Sequence, residues 1–121
     1  MPQKQRESSA TRQQLFYALA EPTRRNIIEM LASNGALSAT DIGNNFAVSA
    51  PAISQHLKVL REANLVEVEK RAQQRIYQLN PDAMLELEGW AKKMNDLWNQ
   101  RFDALGEVLA AEKKKISKKI E

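Results

Sequence analysis

His56 is the only histidine in this chain, and it lies in the stretch PAISQHLKVL beside Ser54, Gln55 and Lys58. A histidine can bind a metal ion, act as a general base or contact a phosphate. A zinc site needs several such ligands, usually histidine and cysteine, and the chain has no cysteine. We therefore predict no metal site and no cofactor. We expect His56 to pack, or to hydrogen-bond a neighbouring element or a phosphate.

The size and composition describe a single globular domain. The chain has 121 residues, of which 43% are apolar, enough for one modest core. No stretch resembles a signal peptide or approaches the roughly 18 apolar residues of a membrane span. The sequence also lacks a glycine-rich phosphate loop and a paired-carboxylate motif. We therefore expect a cytoplasmic protein that is not an enzyme and does not bind a membrane.

Charge is distributed unevenly along the chain. Residues 54–75 hold five cations against three acids, and residues 81–112 hold three cations against seven acids. The last nine residues hold five lysines and one acid. A basic middle beside an acidic segment suits a protein that presents one surface to a polyanion. Solvated faces without a function are the alternative interpretation.

The spacing of apolar residues predicts four helices in the first half of the chain. The first begins near residue 11. The second begins at Pro22, since a proline in the first turn loses no hydrogen bond, and it ends near Gly35. Ser38 and Ser49 can cap the next two, because a serine hydroxyl accepts an exposed N–H of the first turn.

The predicted 50–63 helix has separate core and exposed faces. At about 100° per residue, Ile53, Leu57 and Leu60 point in one direction and define the core side. Gln55 and Lys58 point the opposite way. Amide and hydroxyl side chains with a few cations suit a helix that contacts base edges and phosphates in the major groove of DNA. On this geometry Gln55 is the best base reader and Lys58 a phosphate contact.

A hairpin and a long helix complete the pattern. The segments 65–70 and 75–79 alternate apolar and polar residues around a short polar tip, which predicts two antiparallel strands. From Pro81 a helical period runs for about 30 residues, with Trp90 and Trp98 on one stripe. A helix of that length needs a partner surface, and in so small a chain we expect a second copy. A ligand pocket is the alternative for this stripe.

Two short helices joined by a tight turn and followed by a basic hairpin form a winged helix-turn-helix. The predicted fold is mainly α with a small β-hairpin, in the order α-α-α-α-β-β-α. Its predicted partners are double-stranded DNA and a second copy of the chain. The predicted DNA contacts are Ser49, Pro51, Ala52, Ser54, Gln55, His56, Lys58, Arg71 and Arg75. On the long last helix, the predicted dimer interface comprises Trp90, Met94, Leu97, Trp98, Phe102 and Leu105.

Residues 15–110 resemble the ArsR/SmtB-type winged-helix bacterial transcriptional regulators. The matching stretches are FYALAEPTRRNIIEML (16–31), LSATDI (37–42), VSAPAISQHLKVLREANLV (48–66) and RIYQLNPDAM (75–84). The resemblance implies a homodimer that dimerises through the first and last helices, which adds Leu15, Phe16 and Leu19 of the first helix to the predicted dimer interface. It also implies a recognition helix at about 50–63 and a wing at about 65–79. For most members it further implies repression of an operator with two-fold symmetry.

The chain departs from this family at its metal positions. Many members sense metals through a cysteine pair in the helix that begins near LSATDI, where this chain has Ser38 and Thr40. Others bind zinc between the last helices through histidine and carboxylates, and residues 81–121 contain no histidine. Zinc and nickel favour imidazole and thiolate ligands, so we expect no metal sensing at either place. A small-molecule effector stays open.

Three further expectations concern organisation and charge. We expect a flexible segment at 1–10, one DNA-binding and dimerisation domain at 11–112 and a basic tail at 113–121. Arg24 and Arg25 are expected either to be ordinary surface charges or to lie near the phosphates. The alternative function is a protein-interaction module that uses the same fold and the apolar stripe without binding an operator.

Overall fold

The computed structural model describes residues 12–120, with side chains through residue 117. The chain forms two compact units, Met1–Leu87 and Glu88–Glu121. The predicted segment 1–10 lies outside the described residues. The helices and strands follow one another as α1 (12–19), α2 (Pro22–Asn34), β1 (Leu37–Ser38), α3 (Ala39–Gly43), α4 (Ala50–Glu62), β2 (Val66–Arg71), β3 (Gln74–Leu79) and α5 (Pro81–Ile120).

The helices begin and end where the side-chain chemistry predicts. Ser38 and Ser49 each accept an N–H from the first turn of the helix that follows, at 3.1 Å and 3.2 Å. This satisfies one of the donors that a helix start leaves without an intrahelical partner. The second helix ends at Gly35, whose φ of 82° is a left-handed value that glycine adopts without strain. Asn64 takes a similar value of 59° after α4.

The three strands form one antiparallel sheet in the order β1-β3-β2. The predicted hairpin is confirmed, with a register that runs from Val66 opposite Leu79 to Arg71 opposite Gln74. The first strand was not predicted, because two residues are too short to show an alternating pattern. It pairs with β3 and places the start of α3 beside the hairpin.

The core of the Met1–Leu87 unit is built from the apolar faces of its helices and the hairpin. Ile53, Leu57 and Leu60 are all buried, as the helical wheel predicts for α4. They pack in one cluster with residues from the other elements, including Leu15, Ile27, Leu31, Ile42 and Leu65. The predicted fold, a mainly helical winged helix-turn-helix with a small hairpin, is confirmed.

The last helix is longer than predicted. It continues without a break from Pro81 to Ile120, through the boundary predicted at 112–113. Within the Glu88–Glu121 unit, every described side chain from residue 91 to residue 117 is exposed. Among the described helices, none combines the length and the apolar character that a membrane span requires.

Candidate nucleic-acid interface

A groove of about 430 Å³ lies between α3 and α4. Its polar lining comes from Thr40 on α3, from Asn44 directly after α3 and from Ser54 on α4. Hydroxyl and amide groups of this kind donate and accept hydrogen bonds, which is what reading the edge of a base pair requires. The capped N-terminus of α4 opens at the same place, since Ala50 also lines the groove.

A second groove of about 230 Å³ continues along α4 towards the hairpin. Its cations are Lys58 and Arg61 from α4 and Arg75 from β3. Ala39 and Ser54 line both grooves, so the two join into one concave surface. We call this surface the α4 groove. It places hydroxyl and amide groups at one end and three cations at the other.

The two faces of the hairpin differ in charge. Lys70 lies directly opposite Arg75, and this pair follows Val68–Tyr77 on the face that continues from the core. Like charges in directly opposite positions destabilise a sheet. On the outer face, Arg71 forms an ion pair of 3.2 Å with Glu69. The structure therefore brings Arg75 into the α4 groove, whereas Arg71 lies on a face that also carries acids.

The remaining predicted contacts of α4 are divided between its flanks. Pro51 is exposed and Ala52 is half-buried. Gln55 is exposed, but it lines a separate groove of about 340 Å³ together with Tyr17 and Glu62. The structure thus places Ser54, rather than Gln55, beside the three cations of the α4 groove.

His56 lies at the junction of α1, α2 and α4. Its Nδ1 atom is 3.3 Å from Nη1 of Arg24 and 3.9 Å from Oε2 of Glu21. Its side chain is 21% exposed. The expectation that His56 packs and hydrogen-bonds a neighbouring element is met by these contacts. Among the residues that the structure describes, no group of three or more His, Asp or Glu side chains is placed to hold a metal ion.

Arg24 is not the ordinary surface charge that was one of the two expectations, whereas Arg25 is exposed and agrees with that expectation. Arg24 is only 8% exposed. Its Nε donates to the carbonyl of Ala18 at 2.7 Å, and its Nη2 donates to the carbonyl of Tyr17 at 3.2 Å. Arg25 donates to the carbonyl of Leu19 at 2.7 Å. Both arginines therefore cap the C-terminal end of α1, where carbonyls lack helical partners and the dipole favours a cation.

Glu21 completes this junction. Its carboxylate accepts the N–H of Arg24 at 3.0 Å and so caps the start of α2. Desolvation raises the pKa of Glu21, but the hydrogen bond from the Arg24 amide and the attraction of His56 outweigh it. The pKa of Glu21 therefore lies below its ordinary value of 4.5.

The residues predicted for the dimer interface differ in their exposure and fall into three groups. Leu15 is part of the buried core of the Met1–Leu87 unit, which leaves it little surface for a partner. Leu19 and Trp90 are half-buried. The remaining six, which are exposed, are Phe16, Met94, Leu97, Trp98, Phe102 and Leu105.

The sequence interpretation missed three polar residues of the α4 groove, and it missed Lys70, which lies opposite Arg75 in the hairpin. Arg61 lies three residues after Lys58 on α4, so its spacing alone could have placed it on the same flank. Lys70 could have been found from the hairpin register, once the turn was known to contain two residues. Thr40 and Asn44 carry no such signal, because their position depends on how α3 packs against α4.

Fold and surface together define a winged helix-turn-helix DNA-binding protein. A family model described as a helix-turn-helix domain matches residues 19–69. The HTH-type transcriptional regulator Rv2034 of Mycobacterium tuberculosis is 36% identical over 97 residues, covering 80% of this chain and 87% of that protein. The arsenical resistance operon repressor of Escherichia coli is also 36% identical, covering 69% of this chain and 68% of that protein.

The fold comparison agrees with the sequence relatives. An ArsR-like transcriptional regulator from Rhodococcus sp. RHA1 matches with a TM-score of 0.72, covering 84% of this chain and 95% of that one. At 24% identity this likeness bears on the fold alone. With the relatives above, the chain belongs to the ArsR family of winged helix-turn-helix regulators. It is a DNA-binding transcriptional regulator and not an enzyme.

Proposed function

We propose that this protein is a homodimeric repressor that binds an operator with two-fold symmetry. In this proposal α4 enters the major groove and the β2–β3 hairpin acts as the wing. The observation that carries it is the α4 groove, in which Ser54 lies beside the cations Lys58, Arg61 and Arg75. A hydroxyl flanked by cations on a groove-reading helix matches the usual division between base and phosphate contacts.

Each side chain of the surface has a proposed role. Lys58, Arg61 and Arg75 contact phosphates, and Ser54 contacts a base edge. The capped start of α4, with Ser49 and Pro51, faces the backbone, because the positive end of a helix favours a phosphate. At the margin of this surface, DNA is contacted by Gln55, Ala52 and Arg71. We now assign His56 to positioning, since its Nδ1 faces Arg24.

The charges of the hairpin support a polyanionic partner. Lys70 and Arg75 lie in opposite positions, where their repulsion costs stability in the free protein. A phosphate placed between them removes that repulsion. The arrangement is therefore unfavourable alone and favourable on DNA.

The apolar residues of α5 support the proposed dimer. Trp98 and Phe102 are 61% and 59% exposed, although their rings pack edge to face at 5.7 Å. Exposed Leu97, Leu105 and Leu109 continue the stripe at helical spacing. Such a stripe is stable in water when another apolar surface covers it. A second copy fits, since the family resemblance implies a homodimer built on the first and last helices.

Further parts of the proposal concern organisation. We propose that residues 11–112 contain the DNA-binding and dimerisation functions and that 113–121 forms a basic tail, of which Lys118, Lys119 and Glu121 have no described side chains. The repressor role rests on the resemblance and on the E. coli relative named above. A cytoplasmic location follows from operator binding. No effector is proposed.

Selection of bound oligonucleotides by the purified protein tests this function. We expect a site with two half-sites about one helical turn apart, and affinity that falls steeply with salt. Lys58→Ala should weaken all sequences alike and reduce the salt slope by about one. Lys92→Ala is the matched control, because Lys92 pairs with Asp96 in the other unit. Salt-insensitive binding, or equal losses in both variants, would contradict the proposed surface.

A protein-interaction module on the same fold is the second candidate. The exposed stripe of α5 favours it, since that stripe suits a partner protein as well as a second copy. A stable dimer that binds neither selected nor random DNA would support this candidate against the first.

A further inference from the structure

We propose that Arg24 is a positioning residue that holds α4 in the orientation needed to read a specific operator. The inference rests on the proposed function, because it concerns how the DNA-reading helix is held. Arg24 lies on α2, yet its guanidinium bonds two carbonyls of α1 and the imidazole of His56 on α4. One side chain thus joins three helices.

The geometry of the guanidinium fixes its place. Its Nε and Nη2 donate to consecutive carbonyls, Ala18 and Tyr17. Its Cζ also lies 5.4 Å from the centre of the Tyr17 ring, a cation–π distance. Three planar N–H directions are therefore assigned to three different acceptors, which a lysine ammonium at the same site does not reproduce.

The contact with His56 makes the link to α4. Arg24 has only N–H donors, so the Nδ1 of His56 must be the acceptor, and the ring carries its proton on Nε2. Glu21 is the other charged group near this nitrogen, at 3.9 Å. The His56 side chain is half-buried.

The contact lies on the side of α4 that faces away from the DNA contacts. His56 is two residues, or about 200°, from both Ser54 and Lys58 on the helix. Arg24 therefore acts on the DNA-reading side chains through the orientation of the helix. A small rotation of α4 misplaces base contacts, whereas phosphate contacts through flexible cations tolerate it. The expected signature is a loss of specific binding with little loss of non-specific binding.

Variants at both ends of the contact test this. Arg24→Lys keeps the positive charge but removes the planar set of guanidinium N–H donors. His56→Leu removes the acceptor. His56→Asn retains an amide oxygen near the position of Nδ1. Arg25→Lys is the control, since Arg25 also caps α1 but donates to the carbonyl of Leu19 rather than to α4. Affinities for the selected operator and for random DNA are measured on full-length protein, below the thermal unfolding transition of each variant.

We expect Arg24→Lys and His56→Leu each to weaken operator binding by about tenfold while random DNA changes by less than about threefold. His56→Asn should restore most of the loss, and the double variant should be no worse than either single one. Arg25→Lys should match the wild type. At a pH where the imidazole is neutral, its nitrogen chemical shifts should show the proton on Nε2.

Other results overturn the inference. A positioning role for Arg24 is contradicted if the variants lose equal affinity for operator and random DNA. It is also contradicted if the losses of affinity add up in the double variant, or if the neutral His56 ring carries its proton on Nδ1. If Arg24→Lys does not fold, the inference is tested by whether His56→Asn restores the operator affinity that His56→Leu loses. A wild type that binds no DNA overturns the proposed function and this inference with it, whereas operator binding that Arg24→Lys leaves unchanged overturns only the inference.

Discussion

The two units of this chain treat their apolar residues in opposite ways. Met1–Leu87 encloses many of its large apolar side chains, such as Leu60, in a core. In Glu88–Glu121, Trp98, Phe102 and their apolar neighbours lie on one exposed helix, and none of the described side chains from 88 to 117 is fully buried. The first unit thus stabilises itself. The apolar sequence of the second becomes stabilising only when another surface covers it.

The largest expected effect is in the core of the first unit. Leu60 is fully buried, and Leu60→Ala should lower the free energy of unfolding by about 2–5 kcal/mol because it leaves a cavity. Denaturant unfolding followed by circular dichroism measures this. Leu85→Ala is the control, since Leu85 belongs to the same unit but is exposed. Similar losses of unfolding free energy in the two variants would contradict the burial of Leu60 in this core.

Self-association should depend on the second unit. Phe102→Ala should weaken the dimer by about 10- to 100-fold, since it removes an aromatic side chain from the proposed interface. Sedimentation across a range of protein concentrations measures the change. Gln100→Ala, two residues away on another side of the helix, should have no effect. A dimer that tolerates Phe102→Ala would place the interface elsewhere.

Replacing a glycine by alanine should change the free energy of unfolding in opposite directions in the two units. Gly35→Ala in the first unit should cost about 1–2 kcal/mol, because φ there is 82°. Gly106→Ala in the second should stabilise the helix by about 1 kcal/mol, since nothing lies within 4 Å of the added Cβ. Thermal unfolding at one fixed protein concentration compares them. If both variants were stabilised, or both destabilised, the backbone conformation described for one of these two glycines would be contradicted.

The smallest expected effect is a pH dependence in the first unit. The pKa of Glu21 is lowered in the folded protein. Its contribution to stability is therefore complete above the ordinary pKa of 4.5 and is lost as pH falls through the lower, folded value. Unfolding measured between about pH 6 and pH 3 should show a shallower acid decline in Glu21→Gln than in the wild type. An unchanged decline would contradict the lowered pKa.

Local patterns predicted most of the fold. The 3.6-residue period identified the core face of α4, and the serine caps marked two helix starts. The strand β1 could not be predicted, since its two residues form structure only by pairing with β3. The extra length of α5 was missed because its last turns are rich in lysine rather than apolar residues.

The candidate site was less predictable than the fold. A helical wheel gives the direction of the core, but it does not show which flank of α4 faces α3 and which faces α1. The separation of Ser54 from Gln55 depends on that packing. The burial of Arg24 was unexpected for the same reason, because arginine is seldom buried unless carbonyls or acids receive its donors.

The opposed pair at the hairpin tip has a consequence for ionic strength. At physiological salt, charges are screened over about 8 Å, so added salt weakens the repulsion between Lys70 and Arg75, which the register places opposite each other. Raising salt should then slow amide hydrogen exchange at the tip of the free wing. The same salt releases the wing from a phosphate backbone, so one solvent variable stiffens the free hairpin and loosens the bound one.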